Sequence, residues 1–131
     1  MKMEGYRMNE AVVGIGSNIN AEDNISKMLE ILSQKVEVVK ISLFVKTVPI
    51  GNKNQPDYTN GAVRIKTPLK MEELKYLLKQ IESIMGRDRT KPKFSSRTID
   101  LDIVVWNGNI TDEDYYRRDF LRKSVNEVMT F

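Results

Sequence analysis

With 131 residues, a net charge of +3 and charged residues at 30%, the chain has the size and composition of one globular domain with a single core. The absence of cysteine excludes disulfides, thiol catalysis and cysteine-built zinc sites, and the absence of histidine removes the commonest general base and the commonest transition-metal ligand. Any metal held here is therefore expected to be a hard, oxygen-bound ion, Mg²⁺ first, and so mild a charge gives no reason by itself to expect nucleic acid.

Met1 to Asn9 is polar and reads as a ragged leader, not a signal peptide. No stretch is long and apolar enough to span a membrane, so a cytoplasmic protein is expected. Ala11 to Ile15 is an apolar run, the first strand, and Gly16-Ser17-Asn18 after it signals a turn. Ile25, Met28, Leu29 and Leu32 recur at helical spacing and place a helix over roughly Ala21 to Gln34. Val39, Ile41, Leu43, Val45 and Thr47 alternate with Lys40, Ser42, Phe44 and Lys46, which predicts one strand with the odd-numbered face buried. Val48 to Asn60 is rich in Pro, Gly, Asn and Asp and reads as a long loop, a kind of segment that often carries function.

Gly61 to Lys66 is a third strand, starting as early as Tyr58. Leu74, Leu77, Leu78, Ile81, Ile84 and Met85 form the apolar stripe of a second helix that stops at Gly86. Arg87 to Arg97 sets five basic residues (Arg87, Arg89, Lys91, Lys93, Arg97) against the lone acid Asp88 and reads as a basic loop. Thr98 to Trp106 is the fourth strand, closed by Asn107-Gly108. Thr111-x-x-Asp114 has the form of a capping box, and a last helix runs through Phe120, Leu121, Val125 and Val128. The order is β-α-β-β-α-β with a tail helix: an α+β, ferredoxin-like fold in which an antiparallel sheet carries two helices on one face, all within one domain over residues 1–131.

The chemistry concentrates on the fourth strand. Asp100 and Asp102 stand at i and i+2 and share one face with Val104 and Trp106, while Ile99, Leu101, Ile103 and Val105 face the other way. Like charges that close raise at least one pKa, and a divalent cation between them removes the repulsion; an exposed pair salt-bridged to arginines has the same pattern. The basic loop ending at Arg97 supplies guanidinium forks suited to phosphate, so acids for a metal and bases for phosphates lie close in sequence. A solvated loop or a nucleic-acid patch has the same composition, although only Phe94 interleaves the charges. Gly14-Ile15-Gly16-Ser17-Asn18 is too short for a Walker loop, lacks its lysine, and reads as a tight strand-to-helix turn. Tyr58 and Asn60 are equally suited to holding a flat heterocycle and to serving as core and turn residues.

Taken together, Gly14-Ile15-Gly16-Ser17-Asn18, Thr47-Val48-Pro49-Ile50-Gly51, Gln55-Pro56-Asp57-Tyr58-Thr59-Asn60, Ile81-Glu82 through Gly86-Arg87, and Arg97-Thr98-Ile99-Asp100-Leu101-Asp102-Ile103 resemble the 6-hydroxymethyl-7,8-dihydropterin pyrophosphokinase family of the folate pathway, over about residues 11 to 108. The resemblance implies that ATP gives a whole diphosphate to the hydroxymethyl oxygen of a reduced pterin, releasing AMP. It implies that Asp100 and Asp102 bind two Mg²⁺, that Arg87 and Arg97 hold phosphates and take part in catalysis, and that Arg89 closes over ATP. Glu82, Lys79 and Ile103 belong to the implied nucleotide pocket; Thr47, Ile50, Tyr58, Asn60 and Phe120 belong to the implied pterin site. The implied partners are these small molecules, with no nucleic acid and no membrane, and a monomer is compatible with the reading.

The C-terminal part departs from the family, which usually has a Pro-His pair and a later Arg-x-Phe; here there is no histidine, and Arg118-Asp119-Phe120 stands for the latter. Lys79 replaces a usual Gln, Phe94 a usual Trp, and Val48 a common Pro. Loss of a histidine contact to phosphate would cost about 1.5–3 kcal/mol, which Lys79 or Arg117 is placed in sequence to offset. Three other readings compete: a relative that binds pterin or nucleotide with weak or no turnover, a diphosphokinase for another small alcohol, and an RNA-binding ferredoxin-like domain.

Overall fold

The computed structural model describes residues 8–49, 54–86 and 98–130. Strands β1 (Asn9–Ser17), β2 (Glu37–Ile41), β3 (Val45–Thr47), β4 (Tyr58–Thr67), β5 (Asp100–Trp106) and β6 (Asn109–Ile110) form a single sheet. The helices are α1 (Ala21–Ser33), α2 (Met71–Ile84), α3 (Asp114–Arg117) and α4 (Asp119–Met129). Strand order is β2-β4-β1-β5-β6, with β3 also on β4, and every pairing is antiparallel. This is the α+β class expected, with β1 at the centre.

Each face of the sheet has its own apolar layer. On one, Ala11, Val13, Ile15, Val63, Ile65 and Leu101 pack with Ile25, Met28 and Leu32 of α1 and Leu74, Leu78 and Ile81 of α2. On the other, Val12, Ala62, Val104 and Val105 pack with Val125 and Val128 of α4. Because both faces are covered, β1 is buried without interruption from Ala11 to Ser17. The strand thus begins at Asn9, inside the segment read as leader, and continues through the glycines read as a turn. The C-terminal end of α4 is fastened to the sheet edge: Arg64 Nη1 donates to Val128 O (3.3 Å), Lys40 Nζ to Thr130 O (2.9 Å), and Leu43 N to Glu127 Oε2 (2.9 Å).

Several boundaries differ from the sequence reading, each for a local reason. The single strand expected over Val39–Thr47 is two, β2 and β3, separated by Ser42–Phe44. A register slip between Val38 and Lys40 inverts the expected faces. Val39, Ile41, Leu43 and Val45 are exposed, whereas Ser42 is buried and Phe44 packs on the core. Ser42 Oγ accepts from Ala62 N at 2.8 Å, drawing the chain inward between the two strands. On α2, Ile84 lies outside the apolar stripe and is 66% exposed. In β5 a slip beyond Val104 turns Val105 toward α4 and Trp106 toward the opposite core, reversing both from the simple alternation. Asn107 and Gly108, at φ 48° and 83°, make the tight turn into β6, a strand absent from the sequence reading. Thr111 is no helix cap: its Oγ1 donates to Ile103 O (3.1 Å), and Asp112 Oδ1 accepts from Asp114 N (2.9 Å). The tail helix is two helices that meet at Arg118.

Phe44 lies over Gly61, where an added Cβ would come within 2.5 Å of its ring. Gly61→Ala is expected to destabilise by about 1–3 kcal/mol through overpacking. The cost should shrink in a Gly61→Ala/Phe44→Ala double variant relative to the sum of the singles, as read from urea unfolding midpoints.

Candidate active site

A cleft of about 350 Å³ opens on the α4 side of the sheet. Its floor exists because β1 presents glycine there. Gly14 lies between Ala62 and Asp102, and Gly16 between Asn60 and Asp100, in the β4-β1-β5 register. A Cβ at Gly14 would meet Leu121 Cδ1 at 3.2 Å and Val104 Cγ2 at 3.3 Å; at Gly16 it would meet Asn60 Oδ1 at 3.1 Å. The glycines therefore act as space, and the polar residues after them act as ties. Ser17 Oγ donates to Thr98 O (2.6 Å) at the approach to β5, and Asn18 Nδ2 donates to Gln55 Oε1 (2.8 Å) and Pro56 O (3.1 Å) ahead of β4.

Asp100 and Asp102 rise side by side from β5 into this cleft. Between them, the amide of Leu101 donates to Oε2 of buried Glu82 at 2.7 Å, so α2 holds the strand from behind. The Asp102 carboxyl is pushed up to about 7, first by burial among protein atoms and then by the charges of Asp100, Glu82, Asp112 and Asp114. Its side chain remains open to the cleft, so solvent softens the burial effect and the crowding of carboxylates is the sturdier cause. Among the described residues no group of three or more acidic side chains is arranged to hold a metal. Asp100 and Asp102 offer the hard oxygen donors that Mg²⁺ takes in ones or twos, with substrate phosphates and water completing its shell.

The rest of the cleft lining is suited to a flat, polar-edged molecule. Tyr58 from β4 and Phe120 from the start of α4 both line it, as do Thr47 and Asn60. Asn60 Nδ2 donates to Thr47 Oγ1 at 2.5 Å, which fixes the amide so that its oxygen lies beside Gly16. Asn60 can thus accept from an N–H edge while an aromatic face stacks on the ring.

The structure brings together Thr47, Tyr58, Asn60, Asp100, Asp102 and Phe120 from among the residues singled out in the sequence. It does not bring Lys79, Glu82 or Ile103 into the cleft. Lys79 is exposed on α2, Glu82 is buried behind Leu101, and Ile103 packs in the α1/α2 core. Ile50, Arg87, Arg89, Phe94 and Arg97 lie outside the described residues. Arg117, considered as a substitute cation, pairs on the surface with Glu113 at 2.9 Å. Asp112, Asp114, Leu121 and Ser124 also line the cleft and were not read as site residues, Asp114 having been taken for part of a capping box, Leu121 for the apolar stripe of the last helix and Arg118 for part of a motif. Spacing from Asp102 gave no signal for them, because the β6 hairpin that returns the chain was not anticipated.

The Asp102 shift has a sign that can be checked. Its ordinary value is 3.8 and its folded value about 7, so between these the folded protein holds a proton that the unfolded chain has lost. Without divalent metal, the Asp102 contribution to stability is present below about pH 4 and falls as pH rises through 7. Urea midpoints measured at pH 5 and pH 8 in EDTA should show this decline, and Asp102→Asn should flatten it.

Comparison with known proteins agrees with this geometry. The sequence profile for 7,8-dihydro-6-hydroxymethylpterin-pyrophosphokinase (HPPK) matches residues 12–130. A protein of Haemophilus influenzae named 2-amino-4-hydroxy-6-hydroxymethyldihydropteridine pyrophosphokinase is 34% identical over 129 residues, covering 90% of this chain and 80% of the relative. A Bacillus subtilis protein of the same name is 39% identical over 102 residues, covering 76% of this chain and 60% of the relative. A folate synthesis bifunctional protein of Arabidopsis thaliana is 33% identical over 106 residues, covering 79% of this chain and only 22% of that longer protein. Among the described residues no helix is long and apolar enough to cross a membrane. The chain belongs to the 7,8-dihydro-6-hydroxymethylpterin-pyrophosphokinase family.

Proposed function

We propose that this chain transfers the diphosphate end of ATP to the hydroxymethyl oxygen of 6-hydroxymethyl-7,8-dihydropterin, giving AMP and the pterin diphosphate, in a Mg²⁺-dependent reaction of folate synthesis. The observation that supports it best is the meeting, in one cleft, of a carboxylate pair with two aromatics and an oriented amide. One half suits a metal-bound polyphosphate and the other a pterin. The donor set also suits the ion: two carboxylates, with no histidine or cysteine in the chain.

In the reaction, the hydroxymethyl oxygen forms a bond to the β-phosphorus of ATP. The bond from that phosphorus to the oxygen bridging to the α-phosphate breaks, AMP departs with the bridging oxygen, and the hydroxyl proton is lost. Bound Mg²⁺ would supply charge neutralisation at the phosphate oxygens. Asp100 and Asp102 would hold that ion on the glycine floor, their strand kept straight by Glu82 behind it. Tyr58 and Phe120 would hold the pterin by its faces, and Asn60, oriented by Thr47, by its edge. By the family resemblance, Arg87, Arg89 and Arg97 would serve the phosphates and the main chain of Ile50 the pterin, whereas Lys79 and Ile103, which the resemblance implies for ATP, do not line the described cleft.

A second reading, a relative that binds its ligands with weak turnover, draws on the absence of histidine. An assay of AMP release with ATP, Mg²⁺ and 6-hydroxymethyl-7,8-dihydropterin separates the two. Stoichiometric AMP and pterin diphosphate support the proposal; pterin binding without AMP supports the second reading. Asp100→Asn and Asp102→Asn are each expected to lower AMP release by roughly 100-fold or more with unfolding cooperativity retained. Thr47→Val should raise KM for the pterin about fivefold with little change for ATP, the loss of about one hydrogen bond's net worth, whereas Thr47→Ser should stay near the parent.

A further inference from the structure

One polar side chain of the cleft has no role in the diphosphate transfer. The packed face of α4 runs through Leu121, Ser124, Val125 and Val128, at i, i+3, i+4 and i+7, and lies on the valine layer of the sheet. Three of these side chains are aliphatic, and the fourth is a serine with only 6% of its surface exposed. A serine in a helix can return its hydroxyl to a carbonyl one turn back, as Ser33 Oγ does to Glu30 O at 2.9 Å. Ser124 does not: its Oγ has no hydrogen-bond partner among the described residues. Among those residues no fully buried polar side-chain atom is left without a partner, so the Ser124 hydroxyl reaches a surface, and the surface it lines is that of the cleft.

Its place in the cleft follows from the glycine floor. The Asn60 oxygen stands beside Gly16, 3.1 Å from where a Cβ would be. The Gly14 end is bounded by Leu121 and Val104, 3.2 and 3.3 Å from the corresponding point, and Ser124 follows Leu121 by one turn on the same face of α4. Neither Val104 nor Leu121 offers a polar side-chain atom, so hydrogen bonding from this wall falls to Ser124. A hydroxyl without a partner beside valines adds nothing to the fold, and alanine suits a packed helix face better. We propose that Ser124 is a specificity-determining contact of the pterin half of the cleft: its hydroxyl bonds the ring edge that lies over Gly14, while Asn60 takes the edge beside Gly16. A hydroxyl both donates and accepts, so it serves a ring N–H, a ring nitrogen or a carbonyl oxygen. The ligand selected is a flat heterocycle with polar atoms on two edges, as in a reduced pterin. A ring polar on one edge leaves a site group unpaired and is disfavoured for that reason. The inference rests on the pterin reading and adds a second point of recognition to it.

The experiment is calorimetric titration of the full chain with 6-hydroxymethyl-7,8-dihydropterin, and separately with MgATP, in the parent, Ser124→Ala and Ser124→Cys, with urea midpoints measured on the same samples. Ser124→Ala is expected to weaken pterin binding about fivefold, to leave MgATP unchanged, and to leave the urea midpoint equal or higher. A packing role does not give a weaker ligand with an undiminished fold. Ser124→Cys keeps the shape but bonds hydrogen weakly, so it is expected to follow Ser124→Ala. Equal pterin affinity in the parent and Ser124→Ala overturns the inference, as does parent-like affinity in Ser124→Cys. Loss of pterin and MgATP affinity together, or a lowered urea midpoint in Ser124→Ala, also overturns it, since Ser124 then acts through the helix. A parent that binds no pterin overturns both this inference and the pterin reading. Pterin binding with the expected Ser124→Ala loss but no AMP release counts against the proposed reaction alone.

Discussion

Two carboxylates held side by side repel, and the rest of this site is arranged around keeping them there. Asp100 and Asp102 share a face of β5 only while that strand stays regular, and the strand is regular where it is held from both sides. Laterally, Gly16 and Gly14 of β1 pair with them and add no side chain to crowd the space above. Behind, buried Glu82 takes the Leu101 amide at 2.7 Å, placing a third acid on the far side of the strand. Beyond Val104 the register slips and the alternation reverses, so the two-carboxylate face lasts only as long as the cleft requires.

The division of labour between the two faces of the sheet follows. The α1/α2 face carries the larger apolar layer and has little to do with the cleft. The α4 face has a smaller layer of valines at one end and the open, glycine-floored space at the other. A sheet covered on one face and half-covered on the other presents strand side chains to solvent in a place walled by a helix, which is where ligands of small domains are commonly held. Membership of the pyrophosphokinase family accords with this arrangement, since phosphoryl transfer asks chiefly for positioning and charge neutralisation.

Much of this was legible in the sequence because it is local. The α+β class, the places of α1 and α2, the shared face of Asp100 and Asp102, the start of β4 at Tyr58 and the end of α2 at Gly86 depend on periodicity and turn residues within a few positions. What was misread depends on pairings between distant segments. The exposed Val39 and Ile41 look like a buried face until the bulge opposite Ile65 is known. Gly14 and Gly16 look like a turn until β4 and β5 are seen on either side of them. Asp112, Asp114 and Arg118 join the cleft because the Asn107-Gly108 turn sends the chain back along β5, and nothing in their own spacing announces it.

The fastening of α4 has a mechanical consequence. Its tail is tied to β4, to Lys40 at the sheet edge and to the Ser42–Phe44 connection, whereas its first residues form a wall of the cleft. The helix, 11 residues and about 16 Å long, is also seated along its length, with Val125 and Val128 buried in the valine layer and Leu121 packed against it. One rigid element thus runs from Phe120 at the cleft wall to the strand edge that carries Lys40. The far edge of the sheet is thus the anchorage of the cleft wall, and changes there would be felt in the aperture of the cleft without any residue of the site being altered.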